Sequence, residues 1–289
     1  ITHSCYNNLG ANEIKNLVIS DISVKVDKNR QWIENLMKLH LFLEEKKNKT
    51  NLNFWINNFR IGDQYKKRFN ADIFVKFKDF KICKFKADIR VTGDLWWHLT
   101  WFKGSPISSI HIRLLEGNIF NITQFKLLLK DSRFGDNEIF VANFFRHLGF
   151  ISPKTFYVNA KINNVVNQYI FQEDIRKELI ESYNLKEGPL LEGDERFSVN
   201  LSDDELAEFP EINFAKILNT NFSRKNSSNS LVSLEALSNL NRLFLFNHVY
   251  RRSNNIKVHN LYTDSLFLFS NNFFEDENLK VLNSFEALA

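Results

Sequence analysis

The sequence is poor in the residues that bend, break or cross-link a chain. Its 289 residues include 9 glycines, 4 prolines and 2 cysteines. Cys5 and Cys83 lie far apart and lack the spacing of a metal site, so we expect no disulfide framework, which fits a reducing compartment such as the cytoplasm. No apolar run approaches the length of a membrane span, so no membrane-spanning helix is expected.

Strong charge and the signatures of common hydrolases are also missing. The net charge is only +4, which is typical of an ordinary solvated surface, and we expect no nucleic-acid partner. There is no Gly-x-Ser-x-Gly elbow and no His-Glu-x-x-His pair, which argues against the corresponding hydrolases. The hydrophobic fraction of 44% and mean hydropathy of -0.31 indicate a globular chain with a sizeable core.

Both ends of the sequence are abrupt. It begins with Ile1 instead of Met, and residues 284–289 have the character of a first helical turn without a stop signal. We therefore expect this chain to be a piece of a longer protein.

Residues 71–92 predict a β-hairpin with one buried and one charged face. Apolar residues alternate with lysines in both halves, as in Ile73, Val75 and Phe77 around Lys76. A Thr-Gly-Asp turn follows, and its Gly93 could let backbone N–H groups approach a phosphate, although a plain hairpin turn is the simpler reading. A further strand, SIHIRLL, places Arg113 on its polar side.

Residues 124–175 contain the clearest pattern. A short apolar strand carrying Lys126 leads through a Gly-Asp-Asn turn into a helix with Glu138 in its first turn. Two strands joined by an Asn163-Asn164 turn follow and end at Glu173. Helical spacing is also present at 31–45 and 231–250. These patterns divide the chain into an N-terminal extension (1–70), a sheet-rich lobe (71–175) and the start of a helical part (176–289).

Four stretches of the sequence carry a family resemblance when taken together in this order: RVTGD (Arg90–Asp94), SIHIRLLEGNIFNITQFKLLL (Ser109–Leu129), NEIFVANFFRHLGFISPKTFYVNAKINN (Asn137–Asn164) and YIFQEDI (Tyr169–Ile175). They resemble the CotH family of atypical, protein-kinase-like proteins first known from spore coats. A fifth stretch, LLEGDER at residues 190–196, is similar to a segment of bacterial environmental members.

The resemblance implies an α+β, protein-kinase-like fold, with a mainly antiparallel sheet, a packed helix and a following helical part. It also implies ATP and Mg²⁺ as cofactors and phosphoryl transfer to hydroxyls of a protein or a surface polymer. Gly93 would belong to the turn that covers the nucleotide, and Arg113 or Lys126 would be the phosphate cation. Glu138 would orient that cation, and Glu173 would lie at the adenine edge.

The catalytic residues can be assigned in two ways. His259, Asn260 and Asp264 could form the Asn-containing loop and metal ligand of such an enzyme, or the catalytic loop could follow Ala289, which would leave this piece inactive. A Val-Thr-Gly-Asp turn also replaces the expected glycine-rich loop. The alternative function is a non-catalytic interaction module in coat or surface-polymer assembly, in which Lys126, Glu138 and Glu173 form structural contacts. The two functions predict different structures. In a nucleotide-binding protein a strand cation meets Glu138 below Gly93, whereas in an interaction module it does not.

Overall fold

A computed structural model of the protein describes residues 18–49, 61–78, 81–93, 96–133, 135–194 and 214–252. The chain divides into two units, of which the first comprises residues 1–149 and 153–179 and the second residues 150–152 and 180–289. Each unit has a hydrophobic core of its own. None of the helices in the described ranges combines the length and apolarity that a membrane crossing requires.

The first unit is built on a closed barrel of seven strands in the order β1-β2-β3-β6-β7-β9-β8. Neighbouring strands are antiparallel except β1 and β8, which pair in parallel and close the barrel. Strands β4 and β5 form a separate hairpin. The strands are β1 (Ile19–Val26), β2 (Phe69–Phe77), β3 (Ile82–Val91), β4 (Leu99–Phe102), β5 (Ser105–Ser108), β6 (Ile110–Leu114), β7 (Gln124–Leu129), β8 (Thr155–Ile162) and β9 (Val165–Glu173).

Alternation along the strands produces the barrel core. On β3, Phe85, Ala87 and Ile89 are buried and face inward, whereas Lys84 and Lys86 point outward to Asp72 of β2. Successive side chains of a strand point to opposite faces, so one apolar residue in two is enough to line the interior. The same period on the other strands fills the barrel, which is a packed core instead of a channel.

Two helices of the first unit differ in what they bury. Helix α1 (Asn29–Lys49) buries Trp32, Leu36, Leu39 and Leu43, which recur at helical spacing. Helix α2 (Asp136–His147) buries only Ala142. The apolar side of α2 is therefore largely uncovered, since Phe144 and Leu148, which follows the helix, are about half exposed.

The second unit is smaller and mixed. A two-stranded sheet packs against a long helix through Leu191, Ala215, Ala236 and Leu240. A short helix, α3, spans the point where the chain passes from the first unit to the second. The elements are α3 (Lys177–Ser182), β10 (Leu191–Asp194), β11 (Phe214–Ile217), α4 (Thr220–Ser223) and α5 (Ser227–Arg252).

The predicted fold class is wrong. The chain is mostly sheet and closes into a barrel, whereas we expected an α+β, protein-kinase-like arrangement with a packed helix and a helical part. The difference arises from β1, which was placed in an N-terminal extension but pairs with both β2 and β8. Parallel pairing of strands so distant in sequence leaves no local signal, because period 2 reports which face is buried and not which strand is the neighbour.

The expectation about cysteine also requires correction. Cys83 is fully buried on β3 and is disulfide-bonded. The other cysteine of the chain, Cys5, lies outside the described residues. Distance along the chain does not limit distance in space, so the wide spacing of the two cysteines was no argument against a disulfide or for a reducing compartment.

Candidate functional site

A row of polar side chains crosses the outside of the barrel. Arg90 of β3 lies opposite His111 of β6, His111 lies opposite Lys126 of β7, and Lys126 lies opposite Gln172 of β9. These positions alternate with the inward-facing apolar residues of the same strands, so all four side chains are on the outer face. We refer to Arg90, His111, Lys126 and Gln172 as the outer row.

Asp174, which directly follows β9, gathers three groups around its carboxylate. Its Oδ2 lies 3.4 Å from His111 Nε2 and accepts a 2.9 Å hydrogen bond from Arg176 Nε, while its Oδ1 lies 3.8 Å from Lys126 Nζ. The Asp174 backbone N–H donates to the carbonyl of Gln124, which places Asp174 beside the first residue of β7. One carboxylate therefore joins the outer row to the segment that follows β9.

The electrostatics of this group set its protonation states. Burial favours a neutral Asp174, but the His111 hydrogen bond and the charges of Lys126 and Arg176 outweigh it and hold the pKa of Asp174 well below its ordinary value. Burial lowers the pKa of His111, against the opposing effect of Asp174. At neutral pH we therefore expect an ionised Asp174 and a neutral His111 that donates its Nε2–H to the carboxylate, which can only accept.

Arg90 is not satisfied in the same way. Its Nε is buried and, among the residues that the structure describes, has no hydrogen-bond partner, and the same is true of His111 Nδ1. Burial lowers the pKa of Arg90, the positive charges of Arg68 and Arg176 lower it further, and Asp174 partly opposes them. The outer row thus contains a cation with an unused Nε–H donor, close to other positive charges.

Glu138 meets the outer row through Gln172. Its Oε1 accepts a hydrogen bond from Gln172 Nε2, and Gln172 lies opposite Lys126 in the sheet. The expected ion pair between a strand cation and Glu138 is not formed, because Lys126 pairs with Asp174 instead. The structure nevertheless brings Lys126 and Glu138 to the two sides of one glutamine.

Arg113 and Glu173 lie away from the outer row. Arg113 donates a 2.9 Å hydrogen bond from Nε to Asp88, a carboxylate that it shares with Arg68. Glu173 is on the opposite side of β9 from Gln172, is buried, and accepts a 3.1 Å hydrogen bond from the Lys154 backbone N–H. Burial raises the pKa of Glu173.

Gly93 has a packing reason for being glycine. Its φ is +91°, and a Cβ added there would lie 2.0 Å from the ring of His98, whose Nδ1 is 3.0 Å from Ser109 Oγ. Only glycine combines this backbone conformation with such a close approach. The contact explains the residue without a phosphate, and the role predicted for Gly93 in covering a nucleotide stays a prediction.

The predicted catalytic candidates His259, Asn260 and Asp264 lie outside the described residues. Within the described ranges, no group of three or more His, Cys, Asp and Glu residues is arranged to hold a metal ion. The described side chains therefore identify no ligands for the expected Mg²⁺.

Sequence reasoning missed Arg90, His111, Asp174 and Arg176 as a group. Alternation along β3 puts Arg90 on the same side as Lys84 and Lys86, and nothing in the sequence distinguishes it from these lysines. The missing information was the strand order, since β3 and β6 are separated in sequence by the hairpin β4–β5. Polar outward positions become a candidate site only when their strands are known to be neighbours.

No family model matches the chain, and no curated protein is significantly similar to it in sequence. The resemblance to the CotH family and its bacterial environmental members thus stays a prediction, supported by the quoted stretches of sequence alone.

Proposed function

We propose that the chain binds ATP at the outer row and serves as the nucleotide-binding part of an ATP-dependent phosphotransferase. The observation that carries this proposal is the placement of Lys126, Gln172 and Glu138 in one connected group beside Arg90. Phosphoryl transfer depends mainly on cations and polar groups that position and neutralise phosphates. The acceptor under this proposal is a hydroxyl of a protein or a surface polymer, and Mg²⁺ accompanies the nucleotide.

Lys126 is the better candidate of the two predicted phosphate cations. It lies in the outer row, opposite the glutamine that binds Glu138. Arg113 is two residues from His111 on β6 and already shares Asp88 with Arg68. Recruiting Arg113 to a phosphate would leave a buried carboxylate with one partner fewer, whereas Asp174 keeps His111 and Arg176 if Lys126 moves.

The Lys126 contact is also the easiest of the three at Asp174 to exchange. Its 3.8 Å separation is the longest, and the lysine side chain is 24% exposed. The strength of a charge–charge contact falls with distance, so this long contact is the one at Asp174 that opposes least a switch of the ammonium to a phosphate oxygen. The flexible stem of lysine permits that movement without a change in the strand.

The test compares two lysine variants by titration with MgATP. We expect Lys126→Ala to weaken ATP binding at least tenfold, which corresponds to about 1.4 kcal/mol. The control is Lys161→Ala, which removes an exposed lysine that also faces outward, but from β8. Thermal unfolding of both variants should show that the barrel remains folded.

Two results would count against the proposal. Wild-type protein that binds no nucleotide would overturn the function, and equal ATP affinity of Lys126→Ala and Lys161→Ala would overturn the site. Sustained phosphate transfer from labelled ATP to a candidate acceptor by this chain would show that its own residues, with His259, Asn260 and Asp264 as candidates, complete the catalytic group.

An interaction module is the second candidate function, and an exposed stripe on α2 favours it. Phe140 and Phe144 are 67% and 48% exposed, and Leu148 at the end of the helix is 53% exposed. The three recur at intervals of four residues on one side of the helix, with the two phenyl rings stacked at 5.9 Å. Exposed apolar stripes of this kind mark protein contacts.

The cytoplasm was the predicted location, and the Cys83 disulfide favours a different proposal. Disulfides persist in oxidising compartments and are rare in the cytosol. We therefore propose an oxidising compartment, which agrees with a role at a coat or surface polymer. Alkylation of the native protein isolated without reductant would test this, because a cytosolic chain would carry free thiols.

A further inference from the structure

Three arginines on or beside the outer face of β3 and β6 differ in whether they have a carboxylate partner. Arg68 and Arg113 converge on Asp88, so each has a carboxylate partner. Arg90, two residues further along β3, has none within the described ranges. An arginine has five N–H donors in a fixed fork, and a buried donor without an acceptor is unfavourable.

Among the residues that the structure describes, none provides the missing acceptor for Arg90 Nε. Asp174 is the carboxylate that contacts the outer row, but it is already bound by Arg176 and contacted by His111 and Lys126. The remaining groups around Arg90 include the cations Arg68 and Arg176, and Asp63 contributes only a weak opposing charge. Positive charge therefore exceeds negative charge at this point of the surface.

We propose that Arg90, together with Lys126 and Arg176, forms an oxyanion site that takes a phosphate group. The site is independent of adenine recognition, although the assignment of a nucleotide's phosphate to it rests on the proposed function. A dianionic phosphate supplies both the acceptor oxygens that Arg90 lacks and the negative charge that the cluster lacks. A planar guanidinium binds such oxygens in a bidentate manner, which lysine cannot do.

His111 has a supporting role in this arrangement. Its Nε2 faces Asp174 and its ring lies between Arg90 and Lys126 in the strand register. A neutral imidazole separates the two cations without adding a third charge. Asp174 is contacted by His111, Lys126 and Arg176 and forms no hydrogen bond with Arg90 in the part of the chain that the structure describes, although its charge partly offsets that of Arg90.

The experiment titrates inorganic pyrophosphate and, separately, ATP without metal into three proteins at low ionic strength. These are the wild type, Arg90→Gln, and Arg30→Gln as the control, because the Arg30 side chain is 93% exposed on α1 and pairs with Glu34. We expect Arg90→Gln to weaken pyrophosphate binding at least tenfold and Arg30→Gln to leave it unchanged.

Thermal unfolding without anion provides a second readout. A purely structural arginine would lower the melting temperature when replaced, whereas Arg90→Gln should leave it unchanged or raise it, because a crowded cation is removed.

The outcomes separate this inference from the proposed function. If the wild-type protein binds pyrophosphate through Arg90 but binds ATP no more tightly than pyrophosphate, the oxyanion site is supported and nucleotide binding is overturned. Loss of ATP binding in Lys126→Ala with full binding of both ligands in Arg90→Gln would overturn the oxyanion site and leave the proposed function standing. Failure of wild-type protein to bind pyrophosphate, or a lower melting temperature of Arg90→Gln than of Arg30→Gln without anion, would also overturn it.

Discussion

At the scale of single residues, two adjacent carboxylates at the end of β9 show how burial alone does not decide charge. Asp174 is surrounded by His111, Lys126 and Arg176, and its pKa is held low. Glu173 points to the other side, where burial dominates and its pKa is raised. Alternation separates the two side chains, so one position along the chain reverses the direction of the pKa shift.

This contrast predicts a difference in the pH dependence of stability. A lowered folded-state pKa means that Asp174 stabilises the protein above its unfolded pKa of about 3.9 and loses that effect as the pH falls below it. We expect Asp174→Asn to reduce the free energy of unfolding by about 1–3 kcal/mol at pH 7, because the cations around it lose their partner. Urea unfolding at several pH values between 7 and 3 measures the difference, which should shrink at the acid end.

Glu173→Gln is the matched control, since it makes the same change at the next residue. The amide oxygen can still accept the Lys154 N–H bond, so we expect a smaller loss at pH 7. Because the pKa of Glu173 is raised in the folded state, the free energy of unfolding of the wild type should rise relative to that of Glu173→Gln as the pH falls. This trend is opposite to the one expected for Asp174. Equal effects of the two substitutions across the pH range would contradict the assigned partners of Asp174.

At the scale of elements, α1 and α2 of the first unit have similar apolar patterns but differ in whether the apolar side is buried. Helix α1 buries its stripe against the barrel, while α2 leaves Phe140, Phe144 and Leu148 exposed and holds to the sheet through polar contacts. One of these is the 2.6 Å hydrogen bond from Tyr157 Oη to Asp136 at the start of α2. Periodicity identifies the apolar side of a helix, and only the position of the helix shows whether that side is covered.

Truncation of one residue on each helix tests this difference. We expect Leu36→Ala on α1 to lower the free energy of unfolding by about 2–5 kcal/mol, since it leaves a cavity in the core. Phe144→Ala on α2 should change it by no more than about 0.5 kcal/mol, as for other exposed positions. Chemical unfolding of the two variants gives both values. A large loss in Phe144→Ala would mean that the stripe is packed in solution, which would remove the observation behind the interaction module.

At the scale of the whole molecule, the barrel depends on the parallel contact between β1 and β8. Asn163, in the turn between β8 and β9, stabilises this contact directly. Its N–H donates to the Val24 carbonyl at 2.7 Å and its Oδ1 accepts from the Val26 N–H at 2.9 Å. Its Nδ2 donates to Asn29 Oδ1, so one turn residue connects the last hairpin to β1 and the start of α1.

Asn163→Gly should therefore weaken closure without distorting the turn. Asn163 has a φ of 51°, which glycine adopts readily, so the expected loss of about 1–2 kcal/mol comes from the missing side-chain hydrogen bonds. Asn164→Gly, in the same turn but exposed, is the control and should have little effect on the melting temperature. Identical melting temperatures for the two variants would show that Asn163 does not contribute to closure.

Much of the local structure could be predicted from the sequence because its causes are local. The β2–β3 hairpin, the helix after the Gly-Asp-Asn turn and the β8–β9 hairpin with its Asn163 turn were all predicted and are present. Alternation, capping and turn propensity act over a few residues, so each leaves a readable pattern. The ion pair predicted for Lys126 and Glu138 is not formed: Lys126 pairs with Asp174, and Glu138 binds Gln172.

The amino-acid sequence by itself determined which residues each strand turns inward and which it leaves at the surface. The tertiary structure alone decided which strands are neighbours, and with them the closed barrel and the meeting of Arg90, His111, Lys126 and Asp174. The physical reason is that side-chain alternation follows from the geometry of one strand, while strand order follows from pairing between segments far apart in the chain. The site belongs to the second kind of information, because its four residues come from three strands and the segment beyond a fourth.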